Sequence, residues 1–325
     1  MTRSELPTPF AVRSLRWLAL AAALVVFLWL AVDGISRAGG WSGGCLGHWP
    51  LCNGQWLQPV SRAFGLDWLG RAAAALTFPL VLAVAAAAWQ GYRRVRWVVW
   101  PALLAAALLL LQFLLGALTP TVGLSVLHFA SGLIMLGLLG VTSVVAFQVQ
   151  RDPRLGDSLI HFDAVSRQAA AALLAVFAVQ VAGEWVAASG ARSACPSWPL
   201  CEAAAVLPAT PLALLAASHR LLALIAGVLL LGSVLRAWQL RGDHTPVVVS
   251  ATLTLAFFGG QVLIGAANVL NAFPLHFGAL HVVTGAAVWV SAVVFAVLAL
   301  QYVRLAPLRF TAPARARPKL RAVLA

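Results

Sequence analysis

The sequence predicts an all-α membrane protein: eight transmembrane helices arranged as two tandem-repeated four-helix bundles. Three observations predict it. Eight apolar runs of bilayer-spanning length interrupt a chain that is 62% hydrophobic, 10% charged and has a mean hydropathy of +0.92. The sequence Trp49-Pro50-Leu51-Cys52 returns as Trp198-Pro199-Leu200-Cys201, 149 residues later. The basic residues gather in alternate loops.

The runs fall at about 15–34, 71–90, 97–117, 124–148, 167–188, 211–235, 247–269 and 275–303. Each can cross a hydrocarbon core of about 30 Å at 1.5 Å per helical residue. None shows the two-residue alternation of a barrel strand. The first run is too long for a signal peptide, and no small-residue cleavage site follows it cleanly, so it counts as the first helix of the repeat. The 149-residue shift also carries Pro59 to Pro208, Arg71 to Arg220, Gln112 to Gln261 and Gly116 to Gly265. We therefore expect a first half over 1–150, a second over 151–310, and a basic tail over 311–325.

The formal charge of +13 raises the question of nucleic acid. Its distribution answers it. Arg3, Arg13 and Arg16 precede span 1, Arg93, Arg94 and Arg96 follow span 2, and Arg151, Arg154 and Arg167 follow span 4. Arg236 and Arg241 follow span 6, and six more basic residues lie in 304–321. This is the positive-inside pattern. It predicts a bacterial inner-membrane protein with both termini cytoplasmic, the bilayer as its partner surface, and no nucleic-acid role.

All four cysteines lie in the two loops predicted to face outward, where disulfides persist. Cys45 is expected to pair with Cys52, and Cys195 with Cys201. A zinc site would need four ligands, and the second loop has no histidine between its cysteines.

His161 and His244 fall in cytoplasmic loops and His48 in an outer loop, where solvation is the plain reading. His128, His219, His276 and His281 instead cluster at the outer ends of even-numbered spans, and ionisable groups inside spans mark functional sites. Leu127-His128-Phe129 matches Leu275-His276-Phe277 at a shift of 148, while His219 aligns with Gly70. Two imidazoles on neighbouring helices can hold a haem from both faces. His219 with His276 is the pair the repeat supports, with His281 as the alternative. His128 is left as a single ligand in the first half. Arg71 and Arg220 are candidate partners for haem propionates, with snorkelling to the interface as the rival reading. Asp67, whose repeat twin is Ala216, is the candidate proton acceptor. Gln112 and Gln261 read as packing glue.

With these residues the chain resembles the haem A synthase family over about 15–303. Cys45-Leu-Gly-His-Trp-Pro-Leu-Cys52-Asn-Gly, Cys195-Pro-Ser-Trp-Pro-Leu-Cys201 and Ser218-His219-Arg220 carry the resemblance. It implies oxidation of a methyl group of haem O to a formyl group. It further implies haem b held by His219 and His276 in the second half, and haem O as substrate in the first. Implied partners are the haem O-producing enzyme and an electron carrier or quinone, with self-association open. The family pattern Glu-x-x-His-Arg appears here as Asp67-Trp-Leu-Gly70-Arg71, with a shortened carboxylate and no histidine. A b-type cytochrome is therefore the nearest rival reading. A membrane disulfide oxidoreductase is disfavoured by the long cysteine spacers. A transporter is disfavoured by ionisable groups at the span ends rather than the midplane.

Overall fold

The computed structural model describes residues 9–39, 62–116, 118, 121–151, 162–201 and 210–301. Among them the chain forms eight long helices and no strand. They are α1 (Pro9–Ala38), α2 (Arg62–Gly91), α3 (Arg96–Gly116), α4 (Val122–Arg151), α5 (Ala164–Ala188), α6 (Pro211–Arg241), α7 (Thr245–Leu270) and α8 (Leu275–Leu300). All eight are long and apolar enough to cross a membrane. They are apolar on every side, as helices facing both lipid and neighbours must be. Leu24, Leu110, Leu174, Leu224 and Leu263 point outward from the bundle. Cys45, Cys52, His48 and His161 lie outside the described residues.

The helices pack in two groups with the same internal pairing. In the first, α1 meets α2 and α4, and α3 meets α2 and α4. In the second, α5 meets α6 and α8, and α7 meets α6 and α8. The groups join through α1, α4, α5 and α8. The join is close because small residues lie along it. A Cβ on Gly34 of α1 would fall 2.6 Å from Val282 Cγ1 of α8, and one on Gly137 of α4 would fall 3.1 Å from Trp289 Cζ2. Trp289 donates its indole N–H to the Leu133 carbonyl at 2.8 Å, fixing α8 against α4. Leu133, Leu136, Leu139, Val288 and Val293 fill the core beside this contact.

Each group is fastened at the arginine-rich end of the bundle. In the second, Asp163 caps α5 in a reciprocal box: Ser166 N–H donates to Asp163 Oδ1 at 2.9 Å, and Asp163 N–H to Ser166 Oγ at 2.8 Å. The Asp163 carboxylate also accepts from Arg241 Nη2 at the end of α6. Arg241 is buried, and its Nη1 donates to the Ala299 carbonyl of α8 at 2.9 Å. One guanidinium thus ties α5, α6 and α8. The residue 149 places earlier is Tyr92, whose hydroxyl accepts from Gln150 Nε2 of α4 at 2.9 Å. The first group is fastened at the same place by different chemistry.

Burial works against the charge on Asp163, but the hydrogen bonds from Ser166 and Arg241 outweigh it and hold its carboxyl below the ordinary range. A lowered folded value adds stability above the unfolded value of about 3.9 and loses it as pH falls through the folded value. Thermal unfolding in detergent should therefore show an acid-side loss of stability below about pH 4 that Asp163→Asn flattens. Arg241→Ala should destabilise the protein at neutral pH by about 1–3 kcal/mol, the cost of stranding hydrogen-bond partners.

Candidate histidine sites at the disulfide end

The candidate site residues lie at the opposite end of the bundle. Cys195 and Cys201 form a disulfide, with a Cα separation of 4.4 Å, in the segment between α5 and α6. Both sulfurs are buried against Ala216 and Val186. Arg220 of α6 holds this segment. Its Nη1 donates to the carbonyls of Ser197 at 2.6 Å and Pro199 at 3.0 Å, and its Nη2 to that of Cys195 at 2.9 Å. Three of its five N–H donors are engaged by the described residues of this loop.

His219 precedes Arg220 and faces the other way, into the second helix group. Its Nδ1 lies 3.2 Å from the Val179 carbonyl of α5, which leaves Nε2 as the nitrogen for a ligand. Beneath the ring is Gly183, where a Cβ would lie 3.0 Å from His219 Cε1. His281 of α8 is arranged in the same way. Gly265 of α7 lies under it, with a Cβ position 3.0 Å from His281 Cε1. His281 Nδ1 makes no hydrogen bond of ordinary geometry, although the Gln261 backbone lies beside the ring. The two imidazoles are close enough to interact electrostatically. Each imidazole lies against a glycine, with no side chain between the ring and that helix.

His276, by contrast, is exposed in the first turn of α8, with its ring 4.5 Å from that of Phe277. It stands five residues from His281, about 140° around the helix, so the two cannot face the same point. The structure brings His219 to His281 and leaves His276 at the rim.

Packing explains why the sequence repeat suggests His276. A Cβ on Gly132 of α4 would fall 3.1 Å from Gln112 Nε2, and one on Gly285 of α8 would fall 3.1 Å from Gln261 Nε2. Gln112 and Gln261 are 149 residues apart, but Gly132 and Gly285 are 153 apart. Four residues, about one helical turn, are therefore added in the second half between α7 and the body of α8. With that turn counted, His128 pairs with His281. A signal was present: His128-Phe-Ala-Ser131-Gly132 and His281-Val-Val-Thr284-Gly285 share His, a hydroxyl residue and Gly at one spacing.

His128 has different surroundings. Gly116, twin of Gly265, has nothing within 4 Å of its Cβ position. The His128 ring instead meets the Trp29 ring of α1 edge-on at 5.8 Å and lies in the field of Asp33 and Arg37. Its Nδ1 is buried with no hydrogen-bond partner among the described residues. Its backbone carbonyl accepts from Gln112 Nε2 at 3.0 Å. Gly70, in the place of His219, has Val32 Cγ1 3.4 Å from its Cβ position. Arg71 is half-buried on α2. Asp67 lies one turn earlier on that helix, and its side chain is not among those described.

Sequence reasoning passed over one charged group. Arg37 Nη1 lies 3.1 Å from Asp33 Oδ2, and its Nη2 lies 3.4 Å from Glu184 Oε2 on α5. Glu184 is buried and directly follows Gly183. Three charges inside apolar spans were a legible signal. Among the described residues no three histidine, cysteine or carboxylate side chains converge as a bare metal-ion site would require. An apolar cavity of about 380 Å³ near Leu138, Phe177, Trp289 and Leu300 lies toward the other end and contains no histidine.

Arg220→Ala should release the Cys195–Cys201 loop. Reduction of that disulfide by a small dithiol, followed by thiol alkylation, is expected to speed up roughly tenfold for each 1.4 kcal/mol of clamping lost.

Comparison with known proteins fits these features. The chain is 26% identical over 275 residues to the haem A synthase of Geobacillus kaustophilus, covering 83% of this chain and 86% of the relative. It is 27% identical over 276 residues to that of Geobacillus thermodenitrificans, with 83% and 86% covered. A shorter match, 31% over 125 residues, is to a protoheme IX farnesyltransferase of Halobacterium salinarum, covering 38% of this chain and 27% of the relative. The family model for cytochrome oxidase assembly proteins, COX15-CtaA, matches residues 57–293. With the eight spans, the two helix groups and the histidines at the disulfide end in place, that match shows that the chain belongs to the COX15-CtaA family of cytochrome oxidase assembly proteins.

Proposed function

We propose that this protein is a haem A synthase, oxidising the methyl group of haem O to a formyl group in the bacterial inner membrane. The observation that carries the reading is the pair of imidazoles, His219 and His281, on α6 and α8 of one helix group, each set over a glycine. His219 and His281 would hold a resident haem b, which would supply redox chemistry there. His281 takes the place that the repeat had suggested for His276, because His276 is exposed and directed elsewhere. The bound haem supplies the redox chemistry, and the chain supplies position and electrostatics.

The substrate haem O belongs to the first half. There His128 is the single candidate ligand, and the opposite side is Gly70. A site with one axial histidine leaves the other face of the substrate open for chemistry. Asp67, one turn before Arg71, is the acid–base candidate at the mouth of α2. Arg71 and Arg220 are placed at the disulfide end, where propionates would lie. The disulfide end faces outward in this reading and the arginine-rich end faces the cytoplasm, as the positive-inside pattern predicts. Cys45 and Cys52 would form the corresponding bridge of the first half, and the two helix groups would serve as resident-haem and substrate domains.

Gly70 favours one alternative. A chain that lacks the histidine of its family's first-half motif could be a b-type cytochrome that carries electrons and leaves haem O unchanged. The product separates the two. Protein purified from a host making haem O should carry haem b together with haem A or its hydroxylated precursor, identified by chromatography and mass. Haem b alone would favour the cytochrome. Protein with no haem would remove both readings.

The ligand assignment is tested by substitution. His219→Ala and His281→Ala should each abolish the six-coordinate low-spin spectrum of the resident haem, and His276→Ala should leave it intact. The reverse result at residues 276 and 281 would restore the pairing suggested by the sequence repeat.

A further inference from the structure

The apolar cavity of about 380 Å³ lies where the two helix groups meet, between α4, α5 and α8, with the first turn of α3 at one end. Val141 and Val145 of α4, Phe177 of α5, and Trp289 and Val293 of α8 line it. These residues lie in the half of each helix nearer the arginine-rich end of the bundle. Two further lining residues, Ile134 and Leu174, are 40% and 70% exposed, so the cavity opens sideways from the bundle. At that depth in a bilayer the solvent beside the opening is hydrocarbon chain.

The arginine-rich end of the cavity has another character. Gln301, just past the end of α8, belongs to the lining, and Gln148 stands three residues after Val145 on the same side of α4. The side-chain oxygen of each is buried with no hydrogen-bond partner among the described residues. Buried acceptors of this kind call for a donor. Three exposed arginines stand around the same end. Arg96 directly precedes Trp97 of the lining, Arg151 is one turn beyond Gln148, and Arg167 is seven residues before Leu174 on one face of α5. Asp163, at this end, is already held by Arg241. The geometry points to a binding site for one phosphatidylglycerol molecule of the adjoining leaflet. An acyl chain enters between α4, α5 and α8, the phosphate meets the arginines, and the glycerol hydroxyls donate to Gln148 and Gln301. Basic pockets between spans suit anionic headgroups in this way. A choline headgroup has no hydroxyl to donate and carries no net charge, and a prenyl quinone has no anionic group. The site is separate from the histidines, which lie at the disulfide end.

Native mass spectrometry of the full-length protein in mild detergent tests this, with phosphatidylglycerol and phosphatidylcholine of matched chain length titrated as probes. One phosphatidylglycerol should be retained in preference to phosphatidylcholine. Val141→Phe fills the cavity and should abolish that adduct. Arg96→Gln combined with Arg167→Gln should weaken phosphatidylglycerol binding by about fivefold for each arginine removed and leave phosphatidylcholine binding unchanged. Equal retention of the two lipids would overturn the headgroup assignment, and with it the proposal. A phosphatidylglycerol adduct that persists in Val141→Phe would place the lipid elsewhere and overturn it too, as would an isoprenoid mass retained in place of a phospholipid. Where Val141→Phe fails to fold, the exposed arginine pair decides: a selective loss of phosphatidylglycerol supports the site, and no loss overturns it.

Discussion

Within the spans there is no water to satisfy a polar group, and several buried polar side chains draw a partner from a neighbouring helix. That constraint sets the helix contacts. The indole N–H of Trp289 reaches Leu133, Gln180 Nε2 reaches the Gly285 carbonyl at 2.5 Å, and Gln112 reaches both His128 O and Ser131 Oγ. Such bonds are worth only about 0.6–2 kcal/mol each in a membrane. Their larger effect is on register. Apolar faces alone would let the helices slide, because lipid and leucine are equally good neighbours. The polar contacts fix the depth of each helix, and therefore the depth of the histidines.

Glycine makes these contacts possible. Gly34 and Gly137 let the two helix groups close on Val282 and Trp289. Gly183 and Gly265 do something different, since each lies against an imidazole. At both positions a methyl group would sit about 3 Å from the ring, tighter than ordinary van der Waals contact. The glycines in the bundle therefore divide between those that join the helix groups and those that lie against an imidazole.

Much of this was legible in the sequence, and the gaps have physical causes. Span number and helical class followed from apolar length, and the residues at the disulfide end followed from the repeat. The phase of α8 did not. A four-residue insertion adds about one full turn, so the helix continues on the same face while the sequence alignment slips. Leu127-His128-Phe129 and Leu275-His276-Phe277 then match as letters without matching in space. The Asp33–Arg37–Glu184 cluster was missed for another reason: Arg37 and Glu184 are 147 residues apart and meet across the join between the helix groups. No periodicity within one half encodes a contact between halves.

The two helix groups share one internal pairing, and in the proposed reading the residues that differ between them are those that make two unequal sites. The second copy has His219 and His281 over glycine walls, with Ala178, Ala182 and Val186 on the face of α5 that corresponds to the charged face of α1. The first has Gly70 in place of a histidine, and Trp29, Asp33 and Arg37 on that face. A symmetric pocket with two ligands holds a prosthetic group on both sides and suits electron transfer. A pocket with one ligand and a charged wall leaves a face free and surrounds it with groups that can respond to charge formed during reaction. The link between them, Glu184 to Arg37, joins the helix that backs His219 to the helix that flanks His128. The two helix groups are thereby joined by an ion pair as well as by apolar packing. In hydrocarbon an apolar contact has lipid as a ready substitute, whereas a buried charge has none.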